Sequence, residues 1–448
     1  MGVVIVPINT FTPSEIASRP EIFYGRKREL QKLERSISQG SLTIQGPVGI
    51  GKSSLLSRIL LHMEGFDSKH SSKYVVATAH RDISNVDDAA RLILEKFVSL
   101  DEEKKILRVN LFKVFEVQSH EVYKNFTEGR HLSVLSRLLE KEYLGLDTEG
   151  NEFLIVAIDE ADKAPKAITK LIRVICNNLQ QSGINSVRFV IAGVNPYFKE
   201  MSEEDPGIVR FFATPLNVTS MPDDEAEDLI VSKLEECVTL SLVEGEKIQY
   251  DQKIIDSLIR LSGGHPHLIQ LLGWHLIEKE NEEPDGFLDI KDLTDALRTI
   301  CYEDRVYIYD GMINYLKVES MYAVFLILIQ KCTNVFPTRF ERNFVESLCD
   351  ADDIQWFIDN NYITPISDMC YGLVDEFIRI RIIMDEEDRS IEDVERGFLS
   401  SSKNYPPLDF NDGDDHNLNK PEYYFGYPEF NSDPFDRIED LDVDDDEF

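Results

Sequence analysis

Apolar positions along this chain keep two rhythms. In the first half, short unbroken apolar runs alternate with stretches at helical spacing. Residues 42–45, 74–79, 153–158 and 187–193 predict strands, whereas 54–61, 86–100 and the segment opened by Pro165 predict helices. The run Phe153-Leu-Ile-Val-Ala-Ile158 has no polar position, as in a strand buried on both faces of a parallel sheet. Strands alternating with helices predict an α/β sheet covered on both sides. Residues 101–150 are charged, helical in pattern and without a strand signal, so they read as an insertion.

After Pro222 the rhythm is helical, with 223–240, 252–261, 266–278 and 290–302 predicting a small helical lid. Residues 312–384 predict helices around 321–332, 338–348 and 351–360. Two short strands follow, Tyr362-Ile-Thr-Pro-Ile and Cys370-Tyr-Gly-Leu-Val, which makes a winged-helix arrangement. Arg379 and Arg381 alternate with Ile378, Ile380 and Ile382 as in a half-buried strand. The expected organisation is therefore 1–40 as an N-terminal segment, 41–221 as the α/β core, 222–311 as the lid, 312–384 as the winged helix and 385–448 as a tail.

Composition narrows the class. The 448 residues suggest about three domains. A hydrophobic share of 42% suffices for globular cores, and no apolar stretch reaches the roughly 18–20 residues of a membrane span. The first residues lack the basic flank of a signal peptide, and Val6 stands where a myristoylation signal needs Ser or Thr. Six widely spaced cysteines offer neither a zinc site nor a disulfide framework, which points to a reducing cytoplasm. Net charge is −35, and residues 385–448 hold 22 Asp/Glu against 5 Lys/Arg. Both parts are acidic, which argues against strong non-specific nucleic-acid binding. The tail loses apolar periodicity and is expected to be disordered.

The chemistry concentrates after residue 42. Gly46-Pro47-Val48-Gly49-Ile50-Gly51-Lys52-Ser53, followed by Ser54, spells G-x-x-x-x-G-K-S between a predicted strand and a predicted helix. That context is the one a phosphate-binding loop requires. Its glycines turn backbone N–H groups inward at a helix N-terminus, Lys52 would reach the β/γ-phosphates, and the Ser53 hydroxyl would ligate Mg²⁺. Asp159-Glu160 closes the apolar strand at the carboxyl end, where open α/β sheets bind ligands. Asp159 would hold Mg²⁺, and Glu160 would orient or deprotonate the attacking water. Asn195, after the next strand, is placed to sense a γ-phosphate, although Asn-Pro is also an ordinary turn opener. Arg210, between the last core strand and the lid, could stabilise a transferring phosphoryl group in trans, or could simply be a surface arginine. Leu261-Ser-Gly-Gly264 lies a hundred residues after the D-E strand, the wrong side for an ABC-type signature. There Pro266 opens a helix, and His265 or His267 could face the nucleotide or pack.

Together these residues resemble the AAA+ ATPases, particularly their origin-recognition-like and STAND branches. Tyr24-Gly25-Arg26 with Glu29-Leu30 is similar to the box whose backbone helps hold adenine, residues 46–53 to Walker A, 153–160 to Walker B, and Gly264-His265-Pro266 to the G-x-P motif of the STAND lid. The resemblance covers about residues 20–384. It implies ATP and Mg²⁺ as ligands, hydrolysis, and a homo-oligomer. Two departures stand out: histidines occupy the place of the usual second-sensor arginine, and the winged segment lacks the methionine-histidine-aspartate motif of many STAND switches.

Three functions follow: an ATP-dependent switch acting on a protein partner, as in defence or mobile-element control; a DNA-associated initiator, loader or transposition regulator; and an interaction scaffold with structural nucleotide. The third winged-type helix, Ala351-Asp-Asp-Ile-Gln-Trp-Phe-Ile-Asp359, offers three aspartates and no base-reading side chain, with only Arg339 and Arg342 expected on the preceding helix. That composition favours protein over DNA. The tail carries Tyr423, Tyr424, Phe425, Tyr427, Phe430 and Phe435 among acidic residues, a pattern that can dock into basic, apolar-lined pockets.

Overall fold

The computed structural model describes residues 9–17, 19–64, 72–103, 130–144, 153–213, 215–237, 248–282, 286–331 and 337–386. Most of the 101–150 stretch, Cys332 and the tail from 387 onward lie outside the described residues.

The first half is a five-stranded parallel sheet in the order β2-β3-β4-β1-β5. Its strands are β1 (Leu42–Gln45), β2 (Ser72–Thr78), β3 (Phe153–Asp159), β4 (Val187–Gly193) and β5 (Leu216–Asn217). The run 153–158 is buried throughout, because β2 and β4 flank β3 in the sheet and helices cover both faces. On one face lie α1 (Lys27–Gln39) and α2 (Lys52–Glu64), packed through Leu33, Ile37, Leu56 and Ile59. On the other lie α3 (Val86–Glu103), α4 (His131–Leu144), α5 (Pro165–Gln181) and α6 (Asn195–Glu204). α4 falls within the stretch expected as an insertion, yet Val134, Leu135 and Leu139 are buried in the same cluster as α3 and α5. β4 sits between β1 and β3, so the strands ending in the P-loop and in Asp159 are not neighbours.

The second half is helical. α7 (Asp223–Glu236), α8 (Gln252–Ser262), α9 (Pro266–Glu282) and α10 (Ile290–Thr299) form the lid, with a two-residue parallel pairing of β6 (Gln249–Tyr250) and β7 (Phe287–Leu288) that periodicity did not foretell. A π-turn at Ile300–Asp304 leads into α11 (Val306–Val318) and α12 (Tyr322–Lys331). A winged helix follows: β8 (Arg339–Glu341), α13 (Arg342–Leu348), α14 (Ala351–Asp359), β9 (Ile363–Ser367) and β10 (Cys370–Leu373), with sheet order β8-β10-β9.

Two expectations are corrected here. The segment 338–348 is a strand and then a short helix, so Arg339 lies on β8 and Arg342 opens α13. Residues 376–386 are a helix, α15 (Glu376–Glu386), and not a strand. Phe377, Ile378, Arg379, Ile380, Ile382 and Ile383 are all buried, so the alternation of Ile and Arg reflects burial on several sides rather than a pleat. The helix also carries the chain past Asp385, where the tail was expected to begin.

Cys176, Cys237, Cys301 and Cys349 are free and buried, as small core residues, and Cys370 is half-buried. No single described helix is long and apolar enough to cross a membrane.

Candidate functional site

The carboxyl ends of β1 and β3 open onto a cleft of about 350 Å³, roofed by the lid. The lining is mixed: Lys52, Ser53, Asp159, Glu160, Asp162 and Lys163 are charged or polar, whereas Ile16, Ala17, Ile22, Phe23, Met221, Leu229 and Pro266 are apolar, with the Tyr24 ring among them. Charged and apolar side chains in one pocket of this size suit a ligand with a polyanionic part and a flat apolar part.

The P-loop takes its shape from its surroundings. Gly49 has φ 78°, and a Cβ there would stand 2.9 Å from His265 Cε1 and 3.2 Å from His267 Cβ. Only glycine meets both the backbone and the steric demand. Lys52 Nζ donates to the carbonyls of Gly46 (3.0 Å) and Pro47 (2.7 Å). Burial pulls the Lys52 ammonium below its usual pKa, while Asp162, Asp159 and Glu160 act in the opposite direction. A half-desolvated cation facing three carboxylates is poised to exchange its loop carbonyls for phosphate oxygens.

Arg26 holds the loop from behind. It is 4% exposed, its backbone is left-handed (φ 60°), and its guanidinium donates to Glu29 Oε1 (2.9 Å) and to Ile50 O within the P-loop (3.1 Å). Its N–H donates to Glu225 Oε2 on α7 at 2.7 Å, so one residue ties the loop to the lid. Gly25 lies against the same glutamate. Tyr24 lines the cleft and donates its hydroxyl to Glu236 Oε1 (2.8 Å); burial, with Glu236 beside it, pushes the phenol up to about 12.

At the end of β3, Glu160 is exposed and left-handed (φ 51°), and its N–H donates to Asp159 Oδ1 at 2.9 Å. A non-glycine residue held there costs on the order of 1–3 kcal/mol, a strain typical of functional positions. Ser53 and Asp159 both line the cleft and offer only hard oxygen donors. That set fits Mg²⁺, which keeps several waters and takes phosphate oxygens beside one or two protein ligands.

The remaining expected residues divide. Val48, Gly49, Ile50, Gly51, Lys52, Ser53, Ser54, Tyr24, Arg26, Asp159, Glu160 and Pro266 line the cleft; Gly46 and Pro47 do not, and instead border a small cavity shared with Ile358, Asn361, Ile363, Thr364 and Val374 of the winged helix. The winged helix thus abuts the start of the P-loop. Asn195 heads α6 directly beyond β4, between the two motif strands. Arg210 is exposed, donates to Asn177 Oδ1 (2.7 Å), stacks over the Phe211 ring and does not line this cleft.

His265 departs from expectation. It does not line the cleft and bonds Val48 O through Nε2 (3.1 Å), while its Nδ1 has no partner. Burial, reinforced by His267, pushes the imidazole down to about 3, so it is neutral. His267 is the histidine that lines the cleft.

Sequence reasoning passed over Asp162, whose Oδ1 accepts from Val194 N (3.3 Å) and so joins the ends of β3 and β4. Its position three residues after Asp159 was the available signal. It also passed over residues 12–17 and Gln270, which line the cleft but belong to no motif.

No protein-family model matches the chain, and no curated protein matches it by sequence. Among solved structures it is similar to a Walker-type ATPase of Pyrococcus abyssi, at 16% identity and a TM-score of 0.52, over 83% of this chain and 99% of that one. The ORC2 protein of Aeropyrum pernix, solved as ADPNP–ADP complexes, aligns at 14% identity and a TM-score of 0.47, over 90% and 100% of the two chains. The Aeropyrum pernix ORC1 protein in complex with DNA aligns at 14% identity and a TM-score of 0.43, over 86% and 98%. The likeness to the Pyrococcus abyssi ATPase shows the fold alone: a parallel α/β sheet carrying a P-loop, followed by a helical lid and a winged helix.

Proposed function

We propose that this chain binds ATP with Mg²⁺ in the cleft, hydrolyses it, and serves as a nucleotide-dependent switch. The observation that carries this reading is the lining of the cleft, where the P-loop residues Lys52 and Ser53 and the β3 carboxylates Asp159 and Glu160 share one pocket with Tyr24, Leu229 and Pro266. In this reading the base lies against these last three, between the lid and the segment before α1. Backbone N–H groups of the P-loop cradle the phosphates, and Lys52 pairs with the β/γ oxygens. Ser53 and Asp159 would hold Mg²⁺, which would supply charge neutralisation at the phosphates. Glu160 orients the water and takes its proton; Asn195 senses the γ-phosphate from the end of β4.

Arg210 fits a role across an interface, because it is exposed and away from its own subunit's cleft. In this reading the chain is a homo-oligomer in which Arg210 reaches a neighbour's ATP. The client is a protein. Asp352 and Asp359 stand exposed on α14, the helix that would read duplex DNA, and they oppose a phosphate backbone. Mass photometry with ATP or ADP, with and without duplex DNA, separates these clients: assembly that needs DNA would restore the initiator or loader reading.

Lys52→Ala should abolish binding of a fluorescent ATP analogue. Glu160→Gln should bind ATP and hydrolyse it at least about a hundredfold more slowly, the usual share of a positioned general base. Phosphate release by Glu160→Gln at the wild-type rate would remove Glu160 from the mechanism.

A further inference from the structure

We infer that residues 9–17 form a strap that belongs to the nucleotide site and travels with the lid, so that the wall over the bound nucleotide is set by lid position. The inference rests on the reading of the cleft as a nucleotide site and adds a mechanical part to it.

The strap is fastened to the lid along its first half. Asn9 Nδ2 donates to Trp274 O (2.9 Å) and Glu278 Oε1 (2.8 Å). Thr10 Oγ1 donates to Lys233 O (2.6 Å), and Thr12 N donates to Gln270 Oε1 (2.9 Å). His267 Nδ1 lies 3.1 Å from Pro13 O; a carbonyl only accepts, so the imidazole donates. Between these bonds Phe11 is 2% exposed and joins the hydrophobic core of the lid.

The seat for Phe11 is built into α9. A Cβ at Gly273 would lie 2.3 Å from Phe11 Cε1 and 2.5 Å from Cδ1. Glycine in the middle of a helix costs about 1 kcal/mol relative to alanine. Here the missing side chain is what lets an aromatic ring from a distant segment lie against the helix.

Past Pro13 the strap leaves the lid and crosses the cleft, where residues 12–17 line one wall. Its far end makes one described hydrogen bond to the sheet half, Ala17 N to Ser54 Oγ (3.1 Å), beside Ser53 on α2, before the chain runs on to α1. Several fastenings to the lid against this one to α2 decide which end yields. When the lid swings away, the strap goes with it and the Ser54 bond breaks. Ile16, 54% exposed and lining the cleft, is then withdrawn from the base. Asn9, Phe11 and Gly273 are positioning residues, since they lie outside the cleft and act through the strap.

The test uses the full chain and a fluorescent ATP analogue. Gly273→Ala removes the seat without altering any cleft residue. It should speed hydrogen exchange in 9–17 and raise both the dissociation rate and the Kd about tenfold, equivalent to about 1.4 kcal/mol. The thermal midpoint without nucleotide should fall as well, because Phe11 loses its place in the lid core, and the dissociation rate measured well below that midpoint is the readout a merely structural role would leave unchanged. Asn9→Ala leaves the apolar seat intact and should give the same changes at roughly a third of the size, so it carries the test if Gly273→Ala fails to fold. Faster exchange in 9–17 with wild-type nucleotide affinity would overturn the proposal, and so would unchanged exchange in both variants. A wild-type chain that binds no nucleotide would instead overturn the reading of the cleft, and the strap's role with it.

Discussion

The two halves of this molecule are held together in different ways. The sheet separates its half into two hydrophobic clusters, one around Leu33, Ile44 and Leu56 and the other around Ile93, Ile168 and Phe189. The lid and the winged helix share a single cluster that runs from Phe11 through Leu258 and Leu272 to Phe325, Phe357 and Ile380. By contrast, the bonds we find between the two halves at the cleft are polar: His265 to Val48 O, and Arg26 between Glu225 and Ile50. Hydrogen bonds can be exchanged for water at about 0.5–1.5 kcal/mol each, whereas splitting an apolar core costs far more. Lid and winged helix should therefore move as one body, and the molecule should open at the nucleotide.

The largest effect expected of this contrast comes from Phe357, fully buried and packed by ring contacts on Phe325 (5.9 Å) and Tyr362 (6.2 Å). Phe357→Ala should cost about 3–5 kcal/mol. Because the core is continuous, the loss should be felt in the lid as well as in the winged helix. The chain's two tryptophans report separately: Trp274 is on α9 and Trp356 on α14. In single-tryptophan versions carrying Phe357→Ala, both fluorescence transitions should shift together in urea. A Trp274 transition left at its wild-type midpoint would break the shared core into two.

Why one half was legible and the other less so follows from the same contrast. β1, the P-loop and α2 are contiguous, and each is dictated by local spacing; the same holds for β3 and Asp159-Glu160. β8 was not legible, because its three residues become a strand only by pairing with β10, some thirty residues later. α15 misled because a helix buried on several sides carries no 3.6-residue stripe. The strap left no signal at all: Phe11 and Gly273 explain each other, but they meet only in the folded chain. His265 sat in a recognised motif, yet its bond to Val48 O depended on how the lid docks.

A smaller effect is expected at the polar seam itself. Arg26 bonds Ile50 O and Glu29 with two arms of one planar fork, which lysine cannot reproduce. Arg26→Lys should lose the bond to the P-loop, a charged hydrogen bond of about 1.5–3 kcal/mol. It should weaken ATP binding by tenfold or more with little change in the unfolding of the lid and winged helix. Equal affinity in the two proteins, by titration calorimetry, would show that the loop keeps its shape without this bond.

The smallest effect sharpens the idea that the seam is what opens. His265 is neutral, with its pKa pushed down to about 3 by burial, and its ring bonds the P-loop at Val48 O. In an opened seam the imidazole returns to about 6.5. Below that value the open form binds more protons than the closed form, so closure is fully favoured above pH 6.5 and weakens as pH falls toward 3. The limit is about 1.4 kcal/mol per pH unit, so between pH 7.5 and 5.5 the loss should approach tenfold in nucleotide affinity. His265→Gln keeps an N–H for Val48 O and cannot titrate. Its affinity should fall less steeply with acid than that of the wild type, and the difference between the two profiles isolates the histidine from the titration of the nucleotide's own phosphates. Parallel profiles would mean that the closed seam does not exclude protons from His265, and that the opening between the two halves lies elsewhere.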